Sequence, residues 1–235
     1  MRLEVENLSV GYGDVSVVRG VDLHLEVGEA VCLVGPNGAG KTTTLRGIMG
    51  LTKPTSGAVR WDGTDHASKA AWSRAHSGIA LVPEGRHVFG PLTVGENLEV
   101  AVRAVGGKRI GARIDAAMDR FPRLRERRGQ LAGLLSGGEQ QMLAIARALV
   151  QEPRLLVIDE MSLGLAPVIY EQVGEAVRGL VSDGLGVLMV EQNAALAMSL
   201  CSRGYLMSGG EILLGGTVEE MSHEDAVAHL YFGAV

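Results

Sequence analysis

"GPNGAGKTT", residues 35–43, follows the apolar run "AVCLV" (residues 30–34) without a break and leads into "TTLRGIMGL" (residues 43–51). It fits the pattern G-x-x-x-x-G-K-[ST] through Gly35, Gly40, Lys41 and Thr42, in the strand, loop, helix order that a phosphate-binding loop requires. Glycines let the main chain turn so that its N–H groups point at phosphate oxygens, and the following helix N-terminus adds a favourable dipole. Gly35, Pro36, Asn37, Gly38, Ala39, Gly40, Lys41, Thr42 and Thr43 are therefore the candidate nucleotide-binding segment. Lys41 would reach the β and γ phosphates, and the Thr42 hydroxyl would ligate Mg²⁺. A Gly-rich turn with an exposed lysine is the alternative, and the flanking strand and helix weigh against it.

Working outward, "AVCLVG", "GIALVPE", "LLVIDE" and "GVLMVEQ" are short, nearly continuous apolar runs that stop at a Gly or an acidic residue. Strands covered on both faces look like this, and helical stretches between them predict a parallel α/β sheet. "LEVENLSV" and "VDLHLEV" instead alternate apolar and polar residues, which predicts an antiparallel β subdomain at the edge. "GYLMSGGEILLGG" reads as a hairpin around Ser208-Gly209-Gly210. From Thr93 to about Ala148, apolar residues recur at helical spacing in "VGENLEVAVRAV", "RIGARIDAAMDRF" and "GGEQQMLAIARALV". The fold expected is a single α/β domain, its mostly parallel core formed by residues 1–84 and 153–235 around an inserted helical subdomain, residues 85–152. The closing "EDAVAHLYFGAV" reads as a short helix.

With 235 residues, 46% of them hydrophobic, the chain has room for one sizeable core. A net charge of −5 provides no long-range attraction for nucleic acid, and none is expected as a partner. The one basic run, "RLRERRG" (residues 123–129), reads as a solvated helix face or helix end. Cys32 and Cys201 lie far apart in sequence, the six histidines form no pair at metal-ligand spacing, and a reducing cytoplasm fits. The start "MRLEVENLSV" lacks the order of a secretion signal, and no apolar run nears the ~18 residues that cross a bilayer.

"LLVIDE" puts Asp159 and Glu160 at the end of a buried strand, where ligands collect in open parallel sheets. Beside a phosphate loop, Asp159 would hold Mg²⁺ and Glu160 would orient the attacking water. Adjacent carboxylates at a strand end also start loops and cap helices, but ATP-bound Mg²⁺ needs an oxygen ligand from the protein. "LLSGGEQQMLAIARAL" places Ser136, Gly137 and Gly138 before a helix from Glu139 to Leu149, where free N–H groups, a small hydroxyl and the dipole form a second anion site. Ser136 with Glu139 three residues on also makes a capping box, and both readings hold together.

In the order "GPNGAGKTT", "LSGGEQQ", "LLVIDE", the chain resembles the ATP-binding subunits of ABC transporters over nearly all its length. The resemblance implies ATP and Mg²⁺ as cofactors and two such subunits facing head to tail, identical or related. Leu135, Ser136, Gly137, Gly138 and Glu139 of one would then contact the ATP of the other. It implies permease subunits as partners, a solute-binding protein indirectly, and a peripheral place on the cytoplasmic face of the membrane. Tyr12 in "SVGYGD" matches the aromatic that stacks on adenine, although by itself it reads as an exposed loop tyrosine. "LRGIMGL", "VPEGRHVFGPLTVGENL", "SLGLAP" and "VEQN" are similar to the smaller ATPase subunit of branched-chain amino acid uptake systems. Importers of urea, amides or other amino acids have related sequences, and a soluble non-transport ABC ATPase is the alternative from another class.

Four departures from the commoner family pattern bear on mechanism. Glu84 stands where most relatives have a glutamine that senses Mg²⁺ and the γ phosphate, a harder oxygen ligand. Met161 replaces the usual proline after Glu160, leaving that backbone less restricted, and Leu165 replaces an aspartate in the following loop. Gln192 stands where most relatives have a γ-phosphate histidine, while Asn193 reads equally as a cap for the helix "AALAMSL". In "HVFGPL", Val88, Phe89 and Leu92 form either a small satellite core or a docking groove for a cytoplasmic helix of the permease.

Overall fold

A computed structural model describes residues 2–222, so "EDAVAHLYFGAV" lies outside the described residues. Strands β1 (Arg2–Tyr12) and β2 (Val15–Glu26) open the chain, and β3 (Ala30–Val34) leads through the glycine loop into α1 (Lys41–Met49). Next come β4 (Ser56–Trp61), β5 (Thr64–Asp65), α2 (Ala71–His76) and β6 (Ile79–Val82). Helices α3 (Val94–Ala104), α4 (Ile110–Arg120), α5 (Pro122–Glu126) and α6 (Gly137–Leu149) then follow one another before β7 (Leu155–Asp159). The chain continues through α7 (Pro167–Ser182), β8 (Gly186–Glu191), α8 (Ala194–Met198), β9 (Arg203–Ser208), β10 (Glu211–Thr217) and α9 (Val218–Ser222).

The larger sheet has the order β10-β9-β3-β8-β7-β6, parallel from β9 through β6, with β10 antiparallel at one edge. Its central strands are buried on both faces because alternate side chains feed two different cores. Cys32, Val34, Leu156, Ile158, Val187 and Met189 pack with α3, α4, α6 and α7 on one side. Val31, Leu33, Leu155, Val157, Leu188 and Val190 pack with α1 and the second sheet on the other.

That second sheet has four strands, β2-β1-β4-β5, rather than the two runs that the alternation singles out. β2 begins six residues before "VDLHLEV", since Gly20, at φ 58°, reads as a turn but sits in a strand whose register slips. "SGAVRW" buries only Val59 and Trp61, too short a pattern to stand out. The basic run ends α5 on the surface, with Arg123 and Arg125 paired to Glu126, Asp115 and Asp119.

Candidate functional site

Parallel pairing aligns the C-terminal ends of four strands. Val34 lies opposite Glu191, Asp159 opposite Val190, and Val82 opposite Ile158. The residues that follow these ends, Gly35 to Thr43, Glu84, Glu160 and Gln192, therefore collect along one rim of the sheet, where ligands bind in open α/β folds. In the glycine loop, a Cβ on Gly35 would lie 2.2 Å from the Met207 carbonyl oxygen, so only glycine fits there. Gly40 caps α1 at φ 104°, in the left-handed region. Lys41 is buried, and its Nζ donates to the carbonyls of Gly35 (2.9 Å) and Pro36 (3.2 Å). Burial lowers its pKa, against the opposing influence of Glu160, Asp159 and Glu191.

Across the rim, Thr42 Oγ1 donates to Asp159 Oδ1 at 3.4 Å. Burial, then Glu160 and Glu84, push the Asp159 carboxyl up to about 6. A buried carboxylate beside a hydroxyl and two further carboxylates is the donor set that a hard divalent cation takes. Among the described residues no three His, Cys, Asp or Glu side chains are grouped closely enough to hold a metal alone, so phosphate or water oxygens must complete any such site. Glu160 is half-buried, and its backbone is left-handed at φ 47°.

Ser136 is the N-cap of the second glycine motif, as its capping-box spacing predicts, but α6 starts at Gly137 rather than Glu139, so both glycines belong to its first turn. Glu139 accepts from the Ser136 amide and hydroxyl, both at 2.9 Å, completing the capping box, and pairs with Arg127 at 2.7 Å. A Cβ on Gly138 would meet Ile169 Cγ2 at 2.3 Å, so that glycine lets α6 approach α7.

β8 ends at Glu191, leaving Gln192 exposed on the rim, while the Asn193 side chain accepts from the Leu196 amide as the cap of α8. The capping reading of "VEQN" is thus observed at Asn193, and the cap leaves the Gln192 side chain uncommitted. Glu191, which the sequence reading left without a role, is fully buried and accepts from the Ser162 amide (2.8 Å) and hydroxyl (2.7 Å). Arg86, equally unassigned, donates to the carbonyls of Leu163 (3.2 Å) and Gly164 (3.3 Å) and lies beside Gly137. An acidic residue ending an otherwise apolar strand was the available signal for Glu191; Arg86 offered none.

Tyr12 is 46% exposed, and Thr43, then Thr52 and Arg46, hold its phenol below its ordinary pKa against desolvation. It ends β1 and leaves much of its side chain open to solvent. In "HVFGPL", Val88 packs on the core whereas Phe89 stays 43% exposed under the Arg147 guanidinium, 4.4 Å from its ring centroid. The buried Asn97 pins this loop, accepting from the Phe89 amide (2.9 Å) and donating to the carbonyls of Phe89 (3.0 Å) and Thr93 (2.9 Å).

A rim that gathers backbone amides, a buried lysine and carboxylates matches a nucleotide polyphosphate, so fold and site define a P-loop ATPase. The chain belongs to the ABC transporter family, whose model matches residues 18–162, and is an ATPase subunit of a transporter. It is 40% identical, over 98% of its length and 99% of the relative's, to the high-affinity branched-chain amino acid transport ATP-binding protein BraG of Pseudomonas aeruginosa. The probable branched-chain amino acid transport ATP-binding protein LivF of Archaeoglobus fulgidus is 37% identical, with 99% of each chain covered. The lipopolysaccharide export system ATP-binding protein LptB of Haemophilus influenzae is 33% identical over 98% of this chain and 97% of that one. Among solved structures, the ATP-binding subunit of an ABC transporter superposes with a TM-score of 0.85 at 30% identity, covering 99% and 98% of the two chains. No helix among the described residues is long and apolar enough to cross a membrane.

Proposed function

We propose that the chain energises an importer of branched-chain amino acids. The observation that carries this reading is the 40% identity to BraG over nearly the full length of both chains, against 33% to an exporter subunit. Two subunits would close head to tail on ATP, with Leu135 to Glu139 of each completing the other's site. Val88, Phe89 and Leu92 would offer a cytoplasmic helix of the permease a partly apolar groove at the edge of residues 85–152, the helical part of the domain. The subunit would thus work at the cytoplasmic face of the membrane.

Tyr12 would stack on adenine through its open face. The loop amides and Lys41 would stabilise charge on the transferring phosphoryl group, Lys41 exchanging its two carbonyl partners for phosphate oxygens. Thr42 and Asp159, with Glu84 nearby, are the residues that would hold Mg²⁺. Bound there, the ion would neutralise charge on the β and γ phosphates. Glu160 would orient the attacking water by accepting its hydrogen bond, and Gln192 would donate through its amide to a γ-phosphate oxygen.

Two measurements test this reading. Membranes carrying the subunit with its permease should accumulate labelled leucine in an ATP-dependent way, and ATP-dependent accumulation of labelled urea or an amide without that of leucine would redirect the substrate. Glu160→Gln should bind ATP and lose hydrolysis by about 10²-fold or more; near-normal turnover would remove Glu160 from its role.

A further inference from the structure

We propose that Glu191 is a positioning residue for hydrolysis, a buried clamp that fixes the segment carrying Glu160 to the strand end carrying Gln192. It rests on the roles assigned above to those two residues. Along β8, Val187 and Met189 face the core shared with α6 and α7, and strand alternation puts Glu191 next on that face. A carboxylate at 0% exposure is strongly unfavourable unless its oxygens are satisfied. Here both oxygens are taken by one residue, Ser162, through its amide at 2.8 Å and its hydroxyl at 2.7 Å.

β8 has no need of this arrangement for its own sake, because β3 and β7 already fix its register from both sides. What the carboxylate does secure is the segment 160–162. The Glu160 amide donates to the Val190 carbonyl at 2.8 Å, and Ser162 donates twice to Glu191, so three hydrogen bonds join residues 160–162 to residues 190–191. Between these bonds, Glu160 is held in the left-handed region that a non-glycine residue leaves when it is free to. Met161 has no ring to restrict the chain, and the external bonds provide the restriction. Since Gln192 is the next residue after Glu191, this side chain and the Glu160–Val190 backbone bond together set the separation between the group that orients water and the group that meets the γ phosphate.

Steady-state kcat and KM, with Kd for a fluorescent ATP analogue, should be measured on the intact chain and on Glu191→Leu, Glu191→Gln, Ser162→Ala and Glu160→Gln. The leucine should lower kcat by about 10- to 100-fold, the range expected for a misplaced catalytic group, while KM and Kd stay within about twofold. The glutamine has the same shape and can accept from the Ser162 amide while donating to its hydroxyl, so it should restore most of kcat. Ser162→Ala should lie between, and adding it to Glu191→Leu should cost nothing more, because both remove one linkage. If Glu191→Leu does not fold, Ser162→Ala and Glu191→Gln carry the test. Unchanged kcat in the leucine and alanine variants overturns the clamp, as does a loss of nucleotide affinity parallel to kcat that glutamine fails to rescue. Retained turnover in Glu160→Gln would instead overturn the assignment of Glu160, a separate outcome.

Discussion

Thr42 and Asp159 meet across the sheet rim at 3.4 Å, hydroxyl to carboxylate, although 117 positions separate them in the chain. If this pair holds Mg²⁺, chelation should weaken ATP binding by about tenfold or more, roughly 1.4 kcal/mol. Asp159→Asn should show the weakened affinity even with the ion present. Titration with a fluorescent ATP analogue, with and without chelator, checks both; equal affinities in the unaltered protein would count against the assignment.

The two adjacent glycines of α6 should respond differently to the same substitution. Gly138→Ala drives a methyl into Ile169 Cγ2, 2.3 Å away between packed helices, and should destabilise the fold by about 1–3 kcal/mol. Gly137→Ala meets only the end of the Arg86 side chain, which can swing aside, and should change stability by less than about 0.5 kcal/mol. Urea denaturation separates them, and trimming Ile169 to Val should recover part of the loss at 138.

Gln192 does not titrate, whereas a histidine has an ordinary pKa of about 6.5. ATPase activity between pH 6 and 8 should therefore show no step from this position, and Gln192→His should introduce one. Identical pH profiles for the two proteins would refute the contact.

Local signals were the readable ones. Strands such as "AVCLV" declare themselves because both faces are buried, and Ser136 with Glu139 declares a cap because its bonds span three residues. The phosphate loop is legible for the same reason, since glycine, lysine and threonine act within one turn. Ser162 and Glu191 lie 29 residues apart, and Arg86 reaches Leu163 across 77, so no window along the chain contains either pair. β4 and the start of β2 were missed where glycines interrupt short alternating runs, because a bulge and a turn use the same residue type.

Burial raises the Glu191 pKa, against the Ser162 hydroxyl and amide, while Glu160 also faces it and pushes the same way; Lys41, Tyr170 and Cys201 are its other titratable neighbours. An acid whose folded pKa is raised contributes stability that is present below its unfolded value and lost as pH rises through its folded value. Glu191→Gln removes that loss. In nucleotide-free protein, the melting temperature of the variant relative to the unaltered chain should therefore increase from pH 5 to pH 8. A difference that is flat or decreasing would show that the carboxylate is not penalised in the fold.

The left-handed backbone of Glu160 has a consequence for laboratory evolution. Glycine adopts that conformation freely, whereas a residue with a Cβ gives up on the order of 1 kcal/mol. A screen for thermal tolerance alone should thus enrich glycine at position 160, yielding sturdier proteins that no longer turn over ATP. Survival of glutamate there in a naive library would report selection for work, independent of any assay of transport.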